Sequence, residues 1–283
     1  MAAAAVLPAP HDVSTTLNYY KPLGDPSDEP YRYIYLTPPA GRLEHNLGED
    51  PHPVVVHDAR GREAEFSLDV QGFQFLAHES AETEFVDEER IKGVYYKEVE
   101  ELLKNATGAK RVVIFDHTIR RHSDRDMTVP RDVGRGPVER VHIDQTYEAT
   151  IKRVHQLLGA DAPRLLQSRV RLINVWRPIA HPVFHRPLAV SDWRTLDTRD
   201  LVAVQYYYPD RTGATFGVRY NPAHRWWYLS HQTPSEVTLI KCYDSETDRA
   251  RLTPHSAFWD SATPEGAPHR QSIELRALLF DEE

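Results

Sequence analysis

One short stretch of the chain has residue types and spacing suited to metal chemistry: Glu139-Arg140-Val141-His142-Ile143-Asp144-Gln145-Thr146. Val141 and Ile143 alternate with a His and an Asp two positions apart, the pattern of a strand. Residues i and i+2 of a strand share a face, so the imidazole of His142 and the carboxylate of Asp144 are expected to project together. A second His from elsewhere would complete a two-His, one-carboxylate set, which holds Fe(II) and leaves positions open for oxygen chemistry. With 15 His in 283 residues, such a pair also arises by chance, and an ordinary cross-strand polar pair would look the same. The decision lies downstream.

Two later histidines can complete the set: His231, in Leu229-Ser230-His231-Gln232-Thr233, and His255, in Thr253-Pro254-His255-Ser256-Ala257-Phe258. The residues C-terminal to His255 favour it. A Pro/Gly-rich excursion leads into Arg270-Gln271-Ser272-Ile273-Glu274-Leu275-Arg276-Ala277-Leu278-Leu279-Phe280. In this strand Ile273, Leu275, Ala277 and Leu279 share one face, and Arg270, Ser272, Glu274 and Arg276 share the other. An Arg and a Ser beside a metal suit a dicarboxylate cosubstrate, the guanidinium forking onto a carboxylate and the hydroxyl adding a bond. His231 has only Lys241 at comparable range. Structural alternatives stay open: His255 as a turn residue, Arg270 paired with Glu274 or Asp260, and Arg276 as either a cosubstrate contact or half of a buried ion pair.

The elements that must position these groups are mainly strands. The first fifty residues, rich in Pro, Gly and Asp, read as an irregular extension with one strand at Tyr31–Leu36. Strands are expected at 53–61, 65–68 and 72–76, the last two forming a hairpin. Asp87 then caps a helix carrying Val94, Tyr95, Val99, Leu102 and Leu103, which Gly108 stops. Arg111–Asp116 reads as a buried strand, and 119–137 as a charged loop, either a lid or solvated surface. A helix from Thr146 to Leu158, a short one at 161–166 and a strong strand at 169–178 come next. Strands at 201–208, 215–220, 225–229, 236–243 and 272–280 complete the series. The fold class is α+β, mainly β, of the sandwich or barrel kind. No repeat or boundary divides it, so 1–283 is expected to form a single domain.

Bulk properties narrow the function. A formal charge of −8 argues against nucleic acid, which calls for a basic face. No apolar run approaches the roughly eighteen residues of a membrane helix. Cys242 is the one cysteine, which excludes an internal disulfide and a cysteine zinc site and fits a cytoplasmic location. The aromatic surplus at 206–228 permits a homodimer.

The order His142-x-Asp144, then His255, then Arg270-x-Ser272 resembles the Fe(II)/2-oxoglutarate-dependent oxygenases. That resemblance implies a double-stranded β-helix (jelly roll, cupin-like) with flanking helices. It also implies Fe(II) held by His142, Asp144 and His255, with 2-oxoglutarate and O2 as cosubstrates and Arg270 and Ser272 on the far carboxylate. The spacing of Arg276 from Arg270 is similar to the DNA-dealkylating branch, which implies a second cosubstrate contact. Asn174-x-Trp176-Arg177-Pro178, Pro187-Leu188-Ala189, His224-Arg225-Trp226, Leu239–Ser245, Pro254–Phe258 and Ser272–Ala277 look like one group in particular: fungal secondary-metabolite hydroxylases and desaturases, gibberellin-desaturase-like and cephalosporin-methoxylase-subunit-like. Members hydroxylate, desaturate or close rings, aziridine formation included.

Four residues are candidates for the substrate end: Asn174, Trp176, and Arg177 or Arg125 for a substrate carboxylate. Trp176 as core and Arg177 in an ion pair are the plain alternatives. The expected activity is oxidation of a C–H bond in a small metabolite or amino acid. Its rivals are a 2-oxoglutarate-independent iron oxidase, a non-catalytic β-sandwich binding protein and, lowest, a zinc hydrolase, whose hydroxide chemistry needs no Arg-x-Ser.

Overall fold

The structure is a computed structural model that describes residues 9–121 and 136–283. Among these residues the strands form two sheets. In chain order they are β1 (Val13–Pro22), β2 (Tyr31–Tyr33), β3 (Leu47–Asp58), β4 (Phe73–Ala77), β5 (Arg111–Arg120), β6 (His142–Ile143) and β7 (Val170–Pro178). The remainder are β8 (Leu188–Ser191), β9 (Leu201–Tyr207), β10 (Thr212–Val218), β11 (Trp226–Tyr228), β12 (Glu236–Asp244), β13 (His255–Ala257) and β14 (Ser272–Phe280). The larger sheet runs β1-β3-β11-β8-β13-β6-β10-β9-β2, the smaller β4-β12-β7-β14-β5.

The inner faces of the two sheets share one core. Leu17 and Tyr19 of β1, Val190 of β8, Val218 of β10 and Trp226 of β11 meet Leu172 and Trp176 of β7, Ile240 of β12 and Leu278 of β14. Alternate residues of the smaller sheet face the other way. Ile173, Val175, Ile273, Leu275, Ala277 and Leu279 pack against a helical segment through Ile91, Tyr95, Val99 and Leu103. Each fully buried Leu, Ile or Val on these faces contributes about 1.5–3 kcal/mol. The period-two faces expected of β14 are the faces observed.

The helical segment consists of α1 (Glu88–Arg90), a π turn at Ile91–Tyr95 and α2 (Tyr96–Thr107). The Asp87 carboxylate accepts from the Glu89 and Arg90 amides at its start. Gly108, at φ +71, closes it in the left-handed conformation that a glycine adopts without a Cβ clash. α3 (Tyr147–Leu158) begins on Thr146, whose hydroxyl accepts from the Ala149 amide. The short α4 (Ala162–Leu165) leads towards β7.

Several expectations change. The described part of the first fifty residues is not an irregular extension: β1 pairs with β3 over ten positions, from Val13↔Val56 to Pro22↔Leu47. Ser14 and Thr16 are exposed while Val13, Leu17 and Tyr19 are buried, and the neighbouring Pro and Gly mask that alternation. The segment 65–68 is not a strand and forms no hairpin. A 3-10 turn occupies Glu63–Glu65, and β4 pairs with β12 instead. β5 is longer than expected and only half-buried, because it is the outer strand of its sheet and bonds only to β14. The metal-like stretch 139–146 contains a strand of just two residues, β6.

Candidate active site

β6 is short but held on both sides. Gly217 of β10 faces His142 on one flank, and His255 of β13 faces it on the other. Directly opposite residues of an antiparallel pair bring their side chains together, and the two imidazole rings lie 4.4 Å apart, tilted by 54°. Gln145, at φ +63, then ends the strand and turns the chain into α3. Asp144 is left at that turn, its Oδ1 3.8 Å from His142 Nε2. One nitrogen from each His and one oxygen of Asp144 lie within 4.8 Å of one another.

Both histidines are oriented in the same way. His142 Nδ1 lies 2.8 Å from the Arg140 carbonyl, and His255 Nδ1 lies 3.0 Å from the Thr253 carbonyl. A carbonyl can only accept, so Nδ1 carries the proton and Nε2 keeps its lone pair for a ligand. His255 Nε2 is buried without a hydrogen-bond partner among the described residues. That is the signature of a donor atom awaiting a ligand. Burial, and then the His255 ring, push the His142 pKa down to about 4, which keeps the imidazole neutral as metal ligation requires. The donor set of two imidazoles and a carboxylate fits Fe(II).

Asp144 is largely withdrawn from water, which alone would raise its pKa. The Arg276 guanidinium and the His142 and His255 rings together outweigh that effect and hold the carboxyl well below its ordinary range. Its Oδ2 accepts from Asn174 Nδ2 at 2.8 Å and from Arg276 Nε at 3.0 Å. Asn174 and Arg276 are themselves directly opposed across β7 and β14. The centre is therefore built from two cross-strand pairs, one in each sheet, meeting at a single carboxylate.

Arg270 and Ser272 sit where the face of β14 predicts. Both are buried; the Arg270 guanidinium lies 5.3 Å from the Trp176 ring centre and donates to the Arg186 carbonyl at 2.7 Å. Ser272 Oγ is buried with no hydrogen-bond partner among the described residues. A buried Arg beside an unsatisfied hydroxyl fits a carboxylate ligand. A cavity of 2280 Å³ opens over the centre, and His142, Asp144, Arg270 and Arg276 line it.

Other candidates move. The remaining donors of Arg276 go to Glu274 at 2.5 Å, Asp116 at 3.1 Å and the Thr118 hydroxyl at 3.2 Å. Its guanidinium is thus engaged by protein carboxylates, the ion-pair alternative. Asn174 is fully buried on Asp144 and Trp176 is core, so neither lines the cavity. Arg177 is a correction to its expected substrate contact. As the neighbour of Trp176 in a strand it points through the opposite face of the sheet. There it bonds to the Tyr95 hydroxyl at 3.2 Å, to the His78 carbonyl at 2.8 Å and to the Pro234 carbonyl. Arg125 lies outside the described residues. His231 does not join the donor cluster: its ring packs 5.3 Å from Phe184. Asp116, Thr118 and the carbonyls of Arg140 and Thr253 were not anticipated. The two carbonyls each stand two positions before their His, a regularity visible only once the hydrogen bonds are known.

Two sheets closed around such a donor set form a double-stranded β-helix, the architecture of jelly-roll metal oxygenases. Residues 17–280 match the family model described as an oxidoreductase/YMDC permease-like domain. The chain is 38% identical to the hydroxylase/desaturase efuI of Hormonema carpetanum, over 96% of each chain. It is 36% identical to the Fe(II)/2-oxoglutarate-dependent dioxygenase nvfI of Aspergillus novofumigatus, over 88% of this chain and 90% of that one. The solved structure of the iron and alpha-ketoglutarate-dependent endoperoxidase NvfI superposes with a TM-score of 0.85 at 33% identity, covering 95% of this chain and 98% of that one. The chain belongs to the family of Fe(II)/2-oxoglutarate-dependent dioxygenases that includes these fungal hydroxylase/desaturases.

Proposed function

We propose that this enzyme oxidises a C–H bond of a small organic molecule, with Fe(II) held by His142, Asp144 and His255 and 2-oxoglutarate anchored by Arg270 and Ser272. The observation that carries the assignment is the buried, unpartnered Nε2 of His255 in a cluster where one donor atom each from His142, Asp144 and His255 lie within 4.8 Å of one another. Ferrous iron with 2-oxoglutarate and O2 supplies the oxidant for the C–H bond, the cosubstrate leaving as succinate and carbon dioxide.

The residues of the chain supply position and electrostatics. The Arg140 and Thr253 carbonyls fix the imidazole tautomers. Asn174 and Arg276 occupy one oxygen of Asp144 and so present the other, which favours ligation through a single oxygen. Arg276 acts on the carboxylate rather than on the cosubstrate. Arg270 neutralises the outer carboxylate of 2-oxoglutarate while Ser272 donates to it, and the apolar wall of Trp176 keeps water from that pair. Hydroxylation, desaturation and ring closure share this machinery; the choice rests on how the substrate lies in the cavity. A charge of −8 supports a small molecule rather than nucleic acid as substrate, and the single buried cysteine supports a cytoplasmic location.

The test is metal binding under argon, followed with Co(II) as a spectroscopic stand-in. His142→Ala and His255→Ala are expected to lose the site, while His231→Ala keeps it. Arg270→Ala should retain the metal and raise the KM for 2-oxoglutarate by roughly tenfold or more, from loss of a charged hydrogen bond. Metal binding in His255→Ala at wild-type affinity would overturn the ligand set. Unchanged KM in Arg270→Ala would place the cosubstrate anchor on other residues.

A further inference from the structure

The cavity has a second charged region, separate from the metal centre and the cosubstrate anchor. Arg32 of β2, His45 before β3 and Arg140 just ahead of β6 all line it. A backbone bridge joins Arg32 to His45, and another joins Arg140 to Asn18 of β1. Arg32 also faces Tyr206 across the β2–β9 pair. These contacts hold three basic side chains against one wall, along the larger sheet, whereas Ser272 opens β14 of the smaller one and Arg270 stands just before it.

The bonding of this group is thin. Arg32 Nε is buried and lacks a hydrogen-bond partner, and Arg140 makes one long contact, 3.5 Å, to the Leu47 carbonyl. Among the described residues neither guanidinium forms an ion pair. Three other arginines on the same cavity do: Arg186 with Glu139 at 2.9 Å, Arg211 with Asp210 at 3.4 Å and Arg276 with Asp144 at 3.0 Å. Glu44 and Glu49 line the cavity but act on the group only at longer range. Burial, and then Arg32 and Arg140, push the His45 pKa down, so the imidazole adds little repulsion. Both arginine side chains are partly withdrawn from water, and a cation so placed without an anion is costly. A bound anion would relieve that cost.

We propose that Arg32 and Arg140 anchor an anionic group, a carboxylate or its equivalent, carried by the organic substrate. The inference rests on the oxygenase reading in one respect: the anchored molecule is the one presented to the His142–Asp144–His255 centre on the same cavity. Two guanidinium forks suit the two oxygens of a carboxylate, and Tyr206 supplies a wall for the apolar body beside it.

The test uses a matched pair of fluorescent probes, anilinonaphthalene sulfonate and phenylnaphthylamine, which share an apolar skeleton and differ in the anionic group. Both are titrated against the full chain loaded with Mn(II) and saturating 2-oxoglutarate, so that the cosubstrate site is filled and no turnover is required. The wild type is expected to prefer the sulfonate. Arg32→Gln and Arg140→Gln should each weaken it roughly tenfold or more, Arg140→Lys should recover part of the loss, and Arg211→Gln should change it little. The neutral probe should bind all variants alike. Equal binding of both probes by the wild type, parallel loss of both in the variants, or displacement of the sulfonate by 2-oxoglutarate would overturn the proposal. Because the readout is binding, these results stand apart from the Co(II) and KM measurements that test the oxygenase assignment.

Discussion

Asn174 and Arg276 face each other across β7 and β14, and both donate to the same oxygen of Asp144, at 2.8 Å and 3.0 Å. The arrangement divides the carboxylate: one oxygen is satisfied by the smaller sheet and the other is turned towards the histidines of the larger sheet. Removing either donor should loosen a ligand without removing it. Asn174→Ala is expected to weaken Co(II) or Fe(II) binding roughly 10–100-fold, the range for groups that orient metal ligands, while circular dichroism stays native. Titration of the apo protein checks this; wild-type affinity would remove the positioning role.

Arg276 separates from Arg270 by kinetics. Arg276→Gln should lower metal affinity and leave the KM for 2-oxoglutarate near the wild-type value when measured at saturating Fe(II). A large KM effect with metal affinity intact would instead return Arg276 to the cosubstrate.

Arg177 makes a third prediction, this one on stability. Its guanidinium satisfies the His78 carbonyl and the Tyr95 hydroxyl on the helix side of the smaller sheet. Arg177→Ala leaves those groups buried and unpaired, so unfolding free energy should fall by about 2–4 kcal/mol in a urea titration. The KM values of the folded fraction should not change. A selective rise in substrate KM would contradict its placement behind the sheet.

Gly72 links a remote turn to His255, the third proposed ligand. Its φ is +93, and a Cβ there would come within 2.5 Å of Thr253 Oγ1. Thr253 donates to the Gly72 carbonyl at 2.6 Å and offers its own carbonyl to His255. Gly72→Ala combines overpacking with left-handed strain, a loss of about 2–4 kcal/mol. It should also weaken metal binding, because the group that orients His255 is displaced. Normal stability by thermal melting would show that the turn yields.

Acid sensitivity should trace in part to Asp69. Burial alone would raise its pKa, but Arg169 at 2.6 Å and Lys241 at 2.7 Å hold it below the ordinary range. In the window between the folded and unfolded pKa values the unfolded chain binds more protons, so stability rises with pH there. The contribution is present above about pH 4, the ordinary carboxylate value, and is lost as pH falls through the folded value. Asp69→Asn should be less stable at neutral pH and show a shallower decline below about pH 4, as read from melting temperatures across pH. Parallel pH profiles would assign the acid response elsewhere.

The sequence by itself determined what depends on near neighbours. Period-two alternation sorted the faces of β14, placing Arg270, Ser272 and Arg276 together and Leu275 and Leu279 opposite. The Asp87 cap, the Gly108 stop and the Thr146 start marked two helices, because capping is a matter of a few residues. The His142-x-Asp144 pair, His255 and the Arg270-x-Ser272 pair were legible as residue types in order. The same period-two rule separates Trp176 from Arg177 and puts Arg177 on the helix side of the smaller sheet.

Tertiary structure decided everything that depends on register between distant segments. Nothing local sets His255 opposite His142, or Asn174 opposite Arg276, and Arg276 reaches Asp144 across 132 residues of chain. Hydrogen-bond register between strands comes from which faces the whole core buries, so β1 and the full length of β5 emerged only in three dimensions. The group of Arg32, His45 and Arg140 arises likewise, from three segments that touch only in the folded sheet. Residue order thus specified the chemistry available at this centre, while strand pairing specified which atoms share it.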